Sequence, residues 1–412
     1  MTYPLCIFED SGYSHLYPLT LTRPVFDLKC GIFSLKEKLL QAHPERPVFL
    51  LCRESLCGLV RGQNPEASVN EMPAKTCLFI NGRLLAAEGL RQKLSVSKDT
   101  VFLSGTQIVA AFLTGTNVRQ FADHLAGRAA FNLAEVEQCQ VPHAVLIQYP
   151  WDLVNKNASE IVNDFERLAS RAQINGFVSE RAVLLCDEQI DVGLESEIGP
   201  GVVLDATKGP IHIGARVTVM PNAVVEGPAS IGDDSVIKIG AKIYEGTSIG
   251  EVCKVGGEVE ESIVHSHSNK QHDGFLGHSY LGQWVNLGAD TNNSDLKNNY
   301  GSVKVWTNGD LVDTGSRFAG VYMGDHSKTG INTMFNTGTS VGVMCNVFGA
   351  GFPPKFIPSF SWGGNDGLAE YDFEKALATA RIVMQRRGID LTKEYQNMLR
   401  HIFDQKKTDP SI

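Results

Sequence analysis

Apolar positions along the chain follow two rhythms, and the change comes near residue 176. Before it, short runs of consecutive apolar residues alternate with stretches of helical spacing. Residues 3–8 predict a first strand and residues 33–42 a helix. PVFLLC ending at Cys52, CLFIN ending at Asn81 and VFLSG beginning at Val101 predict further buried strands. Residues 106–113 and 117–126 have helical spacing, and residues 145–148 predict a last strand. Such alternation predicts a mostly parallel sheet covered on both faces, a Rossmann-like α/β domain over residues 1–156. A linker helix is expected within 157–175, over NASEIVNDFERLASRA.

After residue 176 aliphatic residues recur every six positions, at Ile213, Val219, Val225, Ile231, Ile237, Ile243, Ile249 and Val255. An earlier set, Val192, Ile198 and Leu204, is shifted in phase by an insertion before Ile213. A later pair, Leu281 and Leu287, keeps the spacing. Six fits neither a helix nor a hairpin sheet. It is the period of a left-handed parallel β-helix, in which each hexapeptide makes one short strand and one corner. This domain is expected over 176–364. Residues 365–412 return to helical spacing and predict a tail that caps the coil or packs on a neighbour.

Composition narrows the function. The formal net charge of −9 disfavours a general nucleic-acid role. No apolar run reaches membrane-spanning length, and MTYPLCIFEDSG does not read as a secretion signal. The nine cysteines are scattered with no CxxC, which predicts reduced thiols and a cytoplasmic setting.

Candidate chemistry concentrates in GFLGHSYLGQWVNLGADTNNSDLKNNYG, residues 274–301. His278 can act as a general base, or it can pack in a corner. Asn286, Asn292, Asn293, Asn298 and Asn299 lie where the hexads fade, and predict a loop projecting from the coil. His265, His267, His272 and His278 also leave a zinc site open as a lesser alternative to solvated loop histidines.

Gly277-His278, Tyr280-Leu281-Gly282, Val285-Asn286-Leu287-Gly288-Ala289 and Asn299-Tyr300-Gly301 resemble motifs of the bifunctional GlmU-like family that makes UDP-N-acetylglucosamine. The resemblance implies a homotrimer that transfers acetyl from acetyl-CoA to an amino-sugar 1-phosphate, with glucosamine 1-phosphate favoured. It gives His278 the role of base. Lys270, Tyr280, Asn286, Asn299 and Lys304 would contact the sugar phosphate. The C-terminal run Asn346–Gly364 resembles that of a divergent branch of this family, and that resemblance spans nearly the whole chain.

The N-terminal half resembles sugar-phosphate nucleotidyltransferases through a strand, Glu9-Asp10-Ser11-Gly12, Leu16-Tyr17-Pro18-Leu19-Thr20 and Arg23-Pro24. The resemblance implies transfer from a nucleoside triphosphate, with UTP favoured and Mg²⁺ as cofactor. Gly12, Pro18, Arg23, Asn81 and Gly82 would then hold the nucleotide, and Asp152 is a candidate metal carboxylate. Two departures stand out. Only Gly12 remains of the glycine-rich loop, and Arg83 stands where a metal-binding Asp would be; a guanidinium has no acceptor. A second reading therefore stays open, a non-catalytic trimeric scaffold or sensor that binds a sugar nucleotide.

Overall fold

A computed structural model describes residues 3–44, 46–72, 75–85, 94, 96–168, 172–409 and 412. The chain divides into two compact units. The first holds Met1–Leu16, Arg23–Leu28 and Phe33–Gln148; the second holds Tyr17–Thr22, Lys29–Ile32 and Tyr149–Ile412.

The first unit is built on a seven-stranded sheet. Its strands are β1 (Leu5–Phe8), β2 (Val48–Leu51), β3 (Ser68–Val69), β4 (Thr76–Asn81), β5 (Thr100–Ser104), β6 (Gln107–Thr114) and β7 (Glu137–Gln140), in the order β3-β2-β1-β4-β6-β5-β7. β1 is parallel to β2 and β4, and β2 to β3. β6 runs antiparallel to both of its neighbours. Helices α1 (Leu35–Ala42), α2 (Glu54–Gln63) and α3 (Thr116–Leu125) connect the strands. Ser34 starts α1 with a capping box, its hydroxyl accepting from the Glu37 N–H while the Glu37 carboxylate accepts from the Ser34 N–H. Phe8, Phe79 and Phe121 meet edge to face in the core under α3.

Two expectations are corrected here. Residues 106–113 are not a helix but most of β6, because the turn at Gly105 folds QIVAAFLT back on β5, and its apolar run lies buried inside the sheet. Helical and fully buried strand patterns coincide over such short runs. Residues 145–148 make only one antiparallel bridge, Leu84 to Leu146, and the sheet ends instead on β7.

The second unit is the expected left-handed parallel β-helix. Ile213, Val219 and Val225 lie on three different faces, and each successive hexad continues the cycle. One face stacks nine strands, from Ile190–Val192 through Tyr280–Leu281 to Phe356–Ile357. The hexad side chains fill one continuous interior. Coil length varies with register. Ile213, Ile231 and Ile249 are 18 residues apart, whereas Ile249 to Val264 is 15, Val264 to Leu281 is 17 and Leu281 to Met323 is 42.

Corners are bracketed by buried serines. The Ser196 hydroxyl donates to the Gly214 carbonyl and accepts from the Val217 N–H. Ser235, Ser268 and Ser327 do the same one or more coils on. Each hydroxyl satisfies two backbone groups that a corner takes out of the ladder.

The asparagine cluster divides. Asn292–Asn293 is a strand, pairing with Met334–Phe335. The Asn292 amide oxygen accepts from the Phe275 N–H, and the Asn293 amide exchanges two bonds with Gly277. Side-chain amides thus replace missing ladder bonds, so these two asparagines belong to the coil and not to a loop. The chain leaves the coil after them and carries an antiparallel hairpin, Lys304–Thr307 with Asp310–Asp313. This is where the 42-residue step arises.

Helix α4 (Pro150–Arg167) begins seven residues before the expected start at 157. Pro150 stands at its first turn, and the Asp152 carboxylate accepts from the Tyr149 N–H. Asn157 of α4 donates to the Gly246 carbonyl of the coil and accepts from the Gly31 N–H. The tail forms α5 (Phe373–Gln385) and α6 (Lys393–Gln405), which pack Phe373 and Phe403 on Phe360 of the last coils.

Candidate functional site

His278 lies at a corner between the strands Phe275–Gly277 and Tyr280–Leu281. Its φ of +46° is the left-handed backbone that recurs at other coil positions, such as Glu261, His267 and Trp284. The His278 N–H donates to the Glu260 carbonyl and the His278 carbonyl accepts from the Gly320 N–H. The side chain is fixed as well. Nδ1 lies 2.8 Å from Oδ2 of Asp295, and the ring stacks on Phe318 at 4.9 Å between centroids. Asp295 and Phe318 stand at the two roots of the excursion, whose neighbours Leu296 and Phe318 bridge.

A carboxylate only accepts, so Nδ1 carries the proton and Nε2 presents its lone pair. Nε2 has no hydrogen-bond partner among the described residues. Glu260 and Glu261 stand near enough to feel the ring's charge. Burial raises both carboxyls, an effect that the charge of His278 only partly offsets. The corner thus holds an oriented imidazole in an acidic setting.

The other residues expected around a sugar phosphate are not gathered at this corner. Tyr280 is fully buried, and its hydroxyl is taken by Lys29, accepting from the N–H and donating to the carbonyl. Lys270 is buried, with Nζ donating to the carbonyls of Gly256 and His272 at 2.9 Å each. Burial lowers its pKa to about 8. Asn299 closes a local turn by accepting from the Gly301 N–H, and Lys304 begins the projecting hairpin, exposed. Asn286 sits on another face, in a row with Asn269 and Lys328. Sequence reasoning missed Asp295 and Phe318.

No cluster of three or more His, Cys, Asp or Glu fit to hold a metal occurs among the described residues. His267 lies tilted against Trp284 and His265 against Tyr280, and Nδ1 of each lies within hydrogen-bond reach of the Ser266 hydroxyl.

The first unit has a cleft of about 500 Å³, lined among others by Asp10, Gly12, His15, Arg83, Gln107 and Gln148. Asp10 is its carboxylate, and every lone-pair direction is taken. Oδ1 accepts from Nε of Arg83 at 2.8 Å and from the Gly12 N–H at 3.1 Å. Oδ2 accepts from Nη2 of Arg83 at 2.6 Å and from the Asn81 amide at 2.8 Å. Arg83 spends Nη1 on the Ile147 carbonyl and Gln148. Its guanidinium fills the space over Gly12, where a Cβ would meet Cζ at 2.6 Å. A carboxylate already holding four donors has nothing left for Mg²⁺, so this set does not fit the expected metal. Asp152, the metal candidate of the sequence, caps α4 in the second unit.

Of the expected nucleotide residues, Gly12 lines the cleft, while Asn81 and Gly82 lie beneath it as supports. The Gly82 N–H donates to the Phe8 carbonyl, and its Cα abuts Phe26, where a Cβ would come within 2.9 Å. Arg23 is buried in the same unit, its carbonyl accepting from Arg53. Pro18 belongs to the second unit, beside Trp306 and Phe356.

Residues 5–173 match the sugar nucleotidyl transferase family. The Bifunctional protein GlmU of Synechococcus sp. (strain CC9902) is 31% identical over 145 residues, covering 35% of this chain and 27% of that protein. A bifunctional sugar-1-phosphate nucleotidylyltransferase/acetyltransferase of Sulfurisphaera tokodaii is 30% identical over 150 residues, 32% of this chain and 37% of that one. The matched part thus spans about a third of the length of these relatives. Among solved structures, a UDP-N-acetylglucosamine acyltransferase from Campylobacter jejuni aligns with 55% of this chain and 96% of its own, at 14% identity and a TM-score of 0.27. No helix among the described residues is long and apolar enough to cross a membrane. The chain thus carries a sugar nucleotidyl transferase match over residues 5–173, a partial likeness to GlmU-like bifunctional proteins, and stacked parallel coils after it.

Proposed function

We propose that the coil transfers an acetyl group from acetyl-CoA to the amine of an amino-sugar 1-phosphate, glucosamine 1-phosphate being the favoured acceptor. The observation that carries this reading is the His278–Asp295 pair with Nε2 left open. The amine nitrogen forms its bond to the thioester carbon, and the carbon–sulfur bond breaks. The amine proton passes to Nε2 and from there to the departing thiolate. Asp295 holds the ring in the tautomer this needs and stabilises the imidazolium formed on the way. The acidic Glu260 and Glu261 favour an amine over a hydroxyl acceptor. Asn299 and Lys304 on the excursion, and a homotrimeric assembly, belong to this reading as residues and copies that would complete the acceptor site.

For the N-terminal unit, nucleotidyl transfer is the reading its family match supports, and UTP is the donor favoured here. The Asp10–Arg83 pair favours the second reading, binding of a sugar nucleotide without turnover.

The test is release of free CoA from acetyl-CoA with glucosamine 1-phosphate, wild type against His278→Ala. Release lost in a folded variant supports the reading. A folded wild type that releases none across several amino-sugar phosphates overturns it.

A further inference from the structure

One outward row of the coil brings together residues that the acyl-transfer reading leaves aside. Lys254 pairs with Asn269, Asn269 with Asn286 and Asn286 with Lys328, each on the next coil. At roughly 4.8 Å per coil the row is about 14 Å long. The C-terminal end of α5 contributes Arg386 and Arg387, and Trp284 contributes an aromatic wall, its ring 4.4 Å from that of His267. Between them lies a cleft of about 360 Å³, within the size range of small-ligand sites.

Its charge is one-sided. Four cations line it and no carboxylate does, in a chain of net charge −9. No salt bridge involves Lys254, Lys328, Arg386 or Arg387 among the described residues. Arg387 is held in place by donating from Nη2 to Oδ1 of Asn269 at 3.2 Å, and Lys328 by donating to the His326 carbonyl at 2.8 Å. The helix dipole accounts for arginines at the end of α5. It does not account for two lysines facing them from the coil. Burial without a counter-charge lowers the Lys328 pKa to about 8, which an anion in the cleft would reverse.

We propose that this cleft binds a small molecule bearing a diphosphate, with the charges between Lys254, Lys328 and the two arginines and the amides of Asn269 and Asn286 on neighbouring hydroxyls. Two or more phosphate charges match four cations, and bidentate guanidinium contacts suit phosphate oxygens. Asn286 then serves this cleft and not the His278 corner. The side-chain partners of His278, Asp295 and Phe318, are not among the residues that line it, and CoA release in the test below separates this site from one for the diphosphate of acetyl-CoA itself.

Calorimetric titration of the full chain with inorganic pyrophosphate, and separately with UDP, tests it. The comparison is wild type against Lys254→Gln/Arg386→Gln, both checked for folding by circular dichroism and for assembly by light scattering. Binding of either probe that weakens tenfold or more in the double variant, with CoA release unchanged, is the expected result. Binding of both identifies the diphosphate as the recognised group; binding of UDP alone identifies an ester of it. Binding at full strength in the double variant overturns the proposal, since the ligand then sits elsewhere. So does absence of binding, including the case in which the double variant changes only the oligomeric state and acidic side chains of a second copy fill the cleft.

Discussion

Two aspartates in this chain each hold a basic side chain, and they leave opposite chemical consequences. Asp10 receives four donors, and the guanidinium of Arg83 is almost as fully spent. Asp295 touches one nitrogen of His278 and leaves the other open. The first pair fills the place where a metal carboxylate was expected; the second orients an imidazole that the proposed acyl transfer uses as its base. The lesson is that a charged pair is chemically useful by the valence it leaves unsatisfied, so counting lone pairs and N–H groups separates a plug from a site.

The comparison breaks most sharply at His278. His278→Ala should lower CoA release by about 10²–10⁴-fold, the usual contribution of a positioned base. A folded variant with more than a tenth of wild-type release would remove the base from that corner.

Arg83→Met tests the other side. Removing the cation leaves the Asp10 charge in a confined site, and should cost about 3 kcal/mol in urea unfolding of the first unit. Arg83→Met/Asp10→Asn should recover much of that loss. Mg²⁺ should raise the melting temperature of the single variant, whose carboxylate is freed, and leave the wild type unchanged. Stabilisation of both by Mg²⁺ would mean that the metal sits away from Asp10.

Asp295 sharpens the tautomer argument. Asp295→Asn should damage acyl transfer more than Asp295→Ala, by about tenfold. An amide oxygen can hold the Nδ1 proton, but an amide N–H turned to Nδ1 moves that proton to Nε2. Equal rates for the two variants would reduce Asp295 to a packing contact.

The smallest effect concerns Lys270. Its folded pKa is about 8, against about 10.5 for the ordinary group. Between those values the unfolded chain binds more protons, so this lysine makes stability rise with pH across that window. Lys270→Met should flatten the rise, as read from unfolding free energies at pH 7.5 and 10. An unchanged slope would assign it to other groups.

The coil was legible because its period is local. Each of Ile213, Val219, Val225 and their successors falls in the buried interior. The first sheet was read less well, since QIVAAFLT can be a buried strand or a helix until the Gly105 turn sends it back along β5. His278 was legible by motif; Asp295 was not, because its nearness depends on coil length. Yet Asp295 is 17 residues after His278, and Val264 to Leu281 is also a 17-residue step. A search for carboxylates one coil from the histidine would have found it. The Lys254–Asn269–Asn286 row hides behind steps of 15 and 17 residues, which erase a strict hexad count. The Arg83–Asp10 pair joins the ends of two neighbouring strands, and only the order of the sheet brings them together.

The straps at Tyr17–Thr22 and Lys29–Ile32 set a timetable for biosynthesis. They belong to the coil unit. The Thr22 hydroxyl donates to Asp325, 303 residues later, and Lys29 meets Tyr280 across 251. At about 5–20 residues per second, a ribosome takes on the order of 15–60 s to supply the Thr22 partner. For that time the strap residues must wait for coils made 251 to 303 residues later. A gene cut at residue 150 would part those straps from the coil they bind, so the two halves expressed separately are not the two units of the native chain.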